Sequence, residues 1–345
     1  ARLARPGEFT ERAYLNGRMD LAQAEGVADL IEASTALAAR AALRSLRGDF
    51  SQLIQDLASK IVALRTLLEA TLDFPEEEVE FLTAGRAAER LAMIREQLER
   101  VMVSTRQGSL LRDGIQVVLI GEPNVGKSSL LNRLAGEDVA IVTDVPGTTR
   151  DAVREQIDID GLPVHIIDTA GLRETEDAVE RIGISRTWAQ IEKADLALVV
   201  SDATGANDAG SQAIIERLPA GLGRIRVVNK IDLAARRDGR ETRGNEDWVW
   251  ISAKTGEGLD QLKQAIWDRA GWHPSGEGMF TARARHIAAL QSAQRHLANA
   301  VVQTAHLELY AEELRLAHEA LCAITGEFTP DDLLGEIFSN FCIGK

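Results

Sequence analysis

The stretch GEPNVGKSS (121–129) sets a lysine and two serines directly behind a glycine-bounded loop. It fits the pattern G-x-x-x-x-G-K-[ST], which suits the holding of a phosphate chain. Glycines let the backbone wrap a β-phosphate closely, while successive N–H groups and a helix N-terminus bind the anion. Asn124, Val125, Gly126, Lys127, Ser128 and Ser129 are therefore candidate nucleotide-binding residues. Lys127 is expected to reach the β- and γ-phosphates and Ser128 to offer its hydroxyl to Mg²⁺.

A second motif, NKID (229–232), supplies Asn229, Lys230 and Asp232. The Asp232 carboxylate can accept from the guanine N1–H and from the exocyclic amine. Adenine has an acceptor at N1 and no amine at C2, and a site built for hydrogen bonds strongly rejects a base that leaves them unmade. SAK (Ser252, Ala253, Lys254) is expected to end the last strand, where a backbone N–H can meet the guanine O6. Behind a phosphate loop this combination predicts GTP rather than ATP.

Two polar stretches complete the set. GTTRD (147–151) offers Gly147, Thr148 and Thr149, with Thr149 as a Mg²⁺ ligand, and Thr143, Asp144, Val145 and Pro146 precede it in the same loop. DTAG (168–171) offers Asp168 to Mg²⁺ through water and the Gly171 N–H to the γ-phosphate, with Thr169 and Ala170 between them. Loops ordered in this way by γ-phosphate and metal are a known switching mode. The residue after DTAG is Leu172, where many such enzymes carry a water-orienting glutamine. Glu174, Glu176, Asp177 and Glu180 follow, and spacing alone does not choose among them. Arg150 is a candidate for the cation that assists phosphoryl transfer.

These motifs need a scaffold of strands alternating with helices. IQVVLI (115–120) reads as a buried strand, as do VHIID (164–168), DLALVV (195–200), RIRVVN (224–229) and WVWIS (248–252). Helical segments around 128–135, 180–192, 210–218 and 259–270 separate most of them, so a mostly parallel, doubly wound sheet is expected. Upstream, Leu21, Ala24, Ala28, Ile31 and Thr35 predict one amphipathic helix within 19–46, followed by helices over 50–72 and 86–103. Residues 1–16 read as a connecting segment, EEEVE (76–80) as a solvated loop and GWHPSGEG (271–278) as a linker. Helical pattern resumes from Arg283 to about Ala323. The expected class is α/β plus all-α, with a Ras-like P-loop domain inserted into a helical bundle. Its boundaries are a leading remnant at 1–16, helical parts at 17–113 and 273–345, and a nucleotide domain at 114–272.

A chain of 345 residues carries more than one core, and its 45% hydrophobic and 27% charged content describes a globular protein. A net charge of −14 disfavours broad, nonspecific contact with a polyanion. No apolar run approaches the ~20 residues that cross a bilayer. The first residue is Ala and no leader is visible, so a cytoplasmic chain cut short at its start is expected. Cys322 and Cys342, without a CxxC motif, argue against a zinc site or disulfide framework, and Cys322 reads as core. Arg283 and Arg285 suit either RNA contact or the cover of a helix face.

GEPNVGKSSLLNRL with VTDVPGTTRD resembles translation-associated GTPases of the Era kind. TGEFTPDDLLGEIFSNFCIGK (325–345) and GEFTERAYLNGRMDLAQAEGVADLI (7–31) narrow the resemblance to the MnmE (TrmE) family of tRNA-modifying GTPases, from end to end. The resemblance implies GTP hydrolysis coupled to modification of the tRNA wobble uridine at carbon 5. It also implies an MnmG-like FAD-containing partner, a folate one-carbon donor and a homodimer formed through the G domains and an N-terminal folate domain. Nearly all of that folate domain is missing from this sequence. By the same resemblance Glu180 positions the water, and K⁺ is held by Asn124, Thr143, Val145 and Thr148. Cys342 then belongs to the tRNA-modification step, and Lys345 and Arg18 to the folate carboxylates. The rival readings are an Era-like ribosome-assembly switch, without a visible RNA-binding module, and a regulatory GTPase, which has no need of the CIGK tail.

Overall fold

The computed structural model describes residues 2–73, 80–135, 155–168, 188–205, 209–234, 236–244, 246–273 and 278–326. The chain forms two compact units: residues 1–112 with 275–345, and residues 113–274.

The first unit is helical among its described residues. Four helices share one core: α4 (Asp49–Asp73), α5 (Glu80–Asp113), α9 (Ala284–Val302) and α10 (Leu307–Thr325). Leu57, Ile61 and Leu64 of α4 face Leu91, Ile94 and Leu98 of α5, with Leu290, Leu297, Leu314 and Leu321 from the other two. The three- and four-residue spacing puts each set on one stripe, and full burial of such a side chain contributes roughly 2 kcal/mol.

Three shorter helices precede them: α1 (Glu8–Leu15), α2 (Leu21–Glu32) and α3 (Ala36–Arg47). Residues 8–15 are a helix rather than a connecting segment; two of their apolar members, Phe9 and Leu15, are exposed, so no continuous buried stripe marks it. The single helix expected within 19–46 is two. Thr35, read as part of the stripe, is instead the N-cap of α3 and accepts from the Ala38 N–H at 3.0 Å, while Ile31 is exposed. The helical stretch expected from Arg283 to about Ala323 consists of two helices, parted around 303–306.

The second unit is a seven-stranded sheet in the order β2-β3-β1-β4-β5-β7-β6. Its strands are β1 (Ile115–Ile120), β2 (Glu155–Ile159), β3 (Leu162–Asp168), β4 (Leu196–Asp202), β5 (Gly223–Asn229), β6 (Gly239–Arg243) and β7 (Glu246–Trp250). β1 lies in the interior of the sheet, parallel to both β3 and β4, and its apolar residues are almost wholly buried. Helix α7 (Ala209–Arg217) adds Ile215 to a core with Val118, Ile120 and Val199; α8 (Leu259–Ala270) buries Leu262 and Ile266.

The sequence reading missed two strands, each antiparallel and at an edge. β2 turns into β3 through Asp160 and Gly161, at φ 50° and 94°. Asp-Gly is a strong hairpin signal, present in the sequence and overlooked. β6, GRETR, has no apolar residue, which is how an edge strand avoids pairing with other chains. The strand expected at 248–252 ends at Trp250, so SAK lies in the loop beyond it.

Candidate GTP-binding site

The loops that leave the carboxyl ends of β1, β4, β5 and β7 meet at one end of the sheet, the usual position for a ligand in an open α/β fold. The phosphate loop runs from β1 into α6 (Lys127–Ala135), whose first turn holds Lys127, Ser128 and Ser129. The backbone dictates the glycines. A Cβ on Gly121 would stand 2.5 Å from the Val200 carbonyl oxygen, and one on Gly126 would stand 2.3 Å from Asn229 Nδ2. Asn124 takes φ 65°, a left-handed conformation that asparagine tolerates well.

Lys127 Nζ donates to the carbonyls of Gly121 at 2.7 Å and Glu122 at 3.0 Å, so the ammonium lies folded over the loop. Ser128, Ser129 and Asn124 are exposed, and Val125 is buried beneath them. Successive N–H groups with a cation across their mouth form an anion cradle.

The base-recognition motifs are bound to that cradle by one buried side chain. Asn229 Nδ2 donates to the Val125 carbonyl at 2.8 Å, and its Oδ1 accepts from the Ala253 N–H at 2.9 Å. Asn229 thus ties NKID, SAK and the phosphate loop together. Ser252, fully buried, donates through Oγ to Asp232 Oδ1 at 2.7 Å and accepts from the Thr255 N–H at 3.1 Å. Asp232 is exposed at the rim. Arg133 of α6 holds the Lys254 carbonyl at 3.2 Å, which adds a further tie between the two loops.

Sequence reasoning missed Asp202, at the end of β4. It accepts from Lys230 Nζ at 2.5 Å, from the Thr204 N–H at 2.9 Å and from the Thr204 hydroxyl at 2.8 Å. Burial alone would raise its carboxyl; the Lys230 and Thr204 hydrogen bonds overcome that and leave it below its ordinary value. Lys230 takes φ 66°, and the ion pair holds its side chain in place. The D-x-T spacing at a strand end was the available signal.

Asp168 ends β3 in register with Leu119 of β1. It therefore arises from a strand adjacent to the one that feeds the phosphate loop. Thr143, Asp144, Val145, Pro146, Gly147, Thr148, Thr149, Arg150, Thr169, Ala170, Gly171, Leu172, Glu174, Glu176, Asp177, Glu180, Cys342 and Lys345 lie outside the described residues. Arg18 is exposed at the turn after α1.

Residues 21–342 match the family model of the MnmE helical domain. The chain is 60% identical to the tRNA modification GTPase MnmE of Azoarcus sp. (strain BH72), covering 100% of this chain and 76% of that protein. It is 57% identical to the tRNA modification GTPase MnmE of Nitrosomonas europaea, covering 100% of this chain and 78% of that one. Among solved structures it is similar to the G domain of the T. maritima FeoB iron transporter, with 29% identity and a TM-score of 0.33 over 45% of this chain and 98% of that one.

Proposed function

We propose, for a chain that belongs to the MnmE family of tRNA modification GTPases, that its GTP hydrolysis serves modification of the tRNA wobble uridine at carbon 5, together with an MnmG-like FAD-containing partner. The observation that carries this reading is identity of 60% along the whole chain to a protein of that name. The helical parts 17–113 and 273–345 and the G domain 114–272 would act as a cytoplasmic homodimer that meets through its G domains.

In this reading the phosphate-loop N–H groups and Lys127 hold the β- and γ-phosphates. Asp232, oriented by Ser252, accepts from the guanine edge, and an N–H of the SAK loop donates to O6. Glu180, by its likeness to the family's water-positioning carboxylate, orients the water for attack on the γ-phosphorus, a task Leu172 cannot perform. Ser128, Thr149 and, through water, Asp168 would hold Mg²⁺, which supplies charge neutralisation on the phosphates. Asn124, Thr143, Val145 and Thr148 would hold K⁺, supplying positive charge where other GTPases use arginine. The exposed loop position of Asn124, with its side-chain oxygen, suits a weakly held monovalent cation. A folate one-carbon donor would be met by Arg18 and Lys345, and Cys342 belongs to the tRNA-modification side of the reaction.

The test is mass spectrometry of wobble uridines in cells that lack the gene and in cells that regain it. Loss and return of the modified base support the proposal. Unchanged tRNA would reject it in favour of an Era-like ribosome-assembly or regulatory switch.

A further inference from the structure

The chain passes between its two units twice, at Arg112–Asp113 and at Pro274–Ser275. Within the helical unit, one buried carboxylate holds a residue at the first crossing and another eight residues past the second. Asp29 Oδ1, on α2, accepts from Arg112 Nε at 2.8 Å and from Arg283 Nη2 at 2.7 Å. Arg112 stands at the end of α5, three residues ahead of β1, which leads straight into the phosphate loop. Arg283 is the N-cap residue of α9.

One turn earlier on α2, the buried Glu25 accepts from Arg285 Nε and Nη2, both at 2.7 Å, and from His286 Nε2 at 2.9 Å. The Arg283 N–H donates to His286 Nδ1, so that nitrogen is the acceptor and Nε2 carries the proton. Arg285 also donates to the carbonyls of Ala323 at 2.9 Å and Ile324 at 3.0 Å, in the last turn of α10. Tyr14 then donates to the Gly326 carbonyl at 2.7 Å, beyond which the sequence continues to Cys342.

Buried ion pairs are a poor route to stability, since apolar residues of equal volume often do as well or better. What they fix is geometry, because a guanidinium presents its donors in a rigid fork. Arg283 and Arg285, which sequence alone left between RNA contact and helix cover, are both committed to this network.

We propose that Asp29 and Glu25 are positioning residues that link the nucleotide cycle to the tRNA-modification step. Through Arg112, Arg283 and Arg285 they tie the end of α5, where the chain crosses into the nucleotide unit, to the start of α9 and the last turn of α10. The link rests on the function proposed above.

Removal of a buried carboxylate would confound the link with folding, so the arginines carry the test; their side chains are 25% and 18% exposed at positions 112 and 283. Full-length protein would carry Arg112→Gln, Arg283→Gln, both together, or Arg112→Lys. GTP turnover and thermal unfolding are measured on purified protein, and wobble-uridine modification on tRNA from cells with the gene replaced. Each single glutamine variant is expected to keep turnover within about twofold and to lower modification about tenfold or more, and the double variant to be no worse than either single, as members of one coupled unit behave. Arg112→Lys retains charge and should recover part of the loss. Wild-type modification in folded variants would overturn the link. So would turnover and modification falling together with the folded fraction, the mark of a merely structural role. If the wild-type gene itself restores no modified base, the proposed function fails rather than the link.

Discussion

Gly126 has no side chain because the place where one would begin belongs to Asn229, whose Nδ2 would stand 2.3 Å from a Cβ. The residue also takes φ 98°, which a branched Cα resists. Gly126→Ala should therefore displace Asn229 and with it the tie between phosphate and base loops. GTP and GDP affinity should fall by about tenfold or more, worth roughly 1.4 kcal/mol, in a fluorescence titration. Glu180→Ala should behave in the opposite way: affinity retained and hydrolysis abolished in single-turnover assays. A full-rate Glu180→Ala protein would return the water to Glu174, Glu176 or Asp177. The phosphate-loop and guanine residues were legible because each motif binds through backbone and spacing. Asp202 was not, because its partner Lys230 is 28 residues away and only parallel pairing of β4 with β5 brings the two together.

Helix α5 comes close to the backbone at Phe280, and the approach depends on Gly108. A Cβ there would lie 2.1 Å from the Phe280 carbonyl oxygen and 3.3 Å from the Ala282 nitrogen. Neither backbone group can rotate aside, so Gly108→Ala should force the segment away and cost about 1–3 kcal/mol of stability. A lowered midpoint in denaturant at unchanged slope would show it. A neutral result would mean that α5 can slide without loss. At this scale the strand positions were readable wherever burial was two-sided, as in β1. The helix ends were less so: Thr35 satisfies the helical period and the requirement of a cap equally well, and the chain used it as a cap.

Across the molecule, acid should loosen the helical unit in two stages. Burial alone would raise the Glu25 carboxyl; hydrogen bonds from His286 and Arg285 overcome that and hold it at about 2, below its ordinary 4.5. A depressed carboxyl contributes stability above its unfolded value that is lost as pH falls toward the folded one, here roughly 3 kcal/mol between about pH 4.5 and 2. Burial also lowers His286 below its ordinary 6.5, although the Glu25 carboxylate opposes the shift. The unfolded chain therefore takes up a proton first, and the decline begins below about pH 6.5. His286→Gln should remove that early stage in a series of thermal melts; an unchanged profile would show that the imidazole titrates normally. Catalysis belongs to this scale as well, because the proposed K⁺ site would form as two G domains meet. GTP turnover should be much faster in K⁺ than in Na⁺ at equal ionic strength, and equal rates would exclude that site.

The class of ligand, the α/β plus all-α fold and the family were legible in the residues alone, because phosphate and guanine recognition use short motifs at constrained spacing. So was the place of Cys322 in the core, where it is buried with its sulfur 3.4 Å from His318 Nε2. What holds those motifs in place emerges only in the folded chain. Asn229 acts across 104 residues of chain, and Asp29 receives arginines 83 and 254 residues away. A side chain that bonds over such separations leaves no period in the sequence. Its partners become visible only once the chain has folded and water has been excluded from around them.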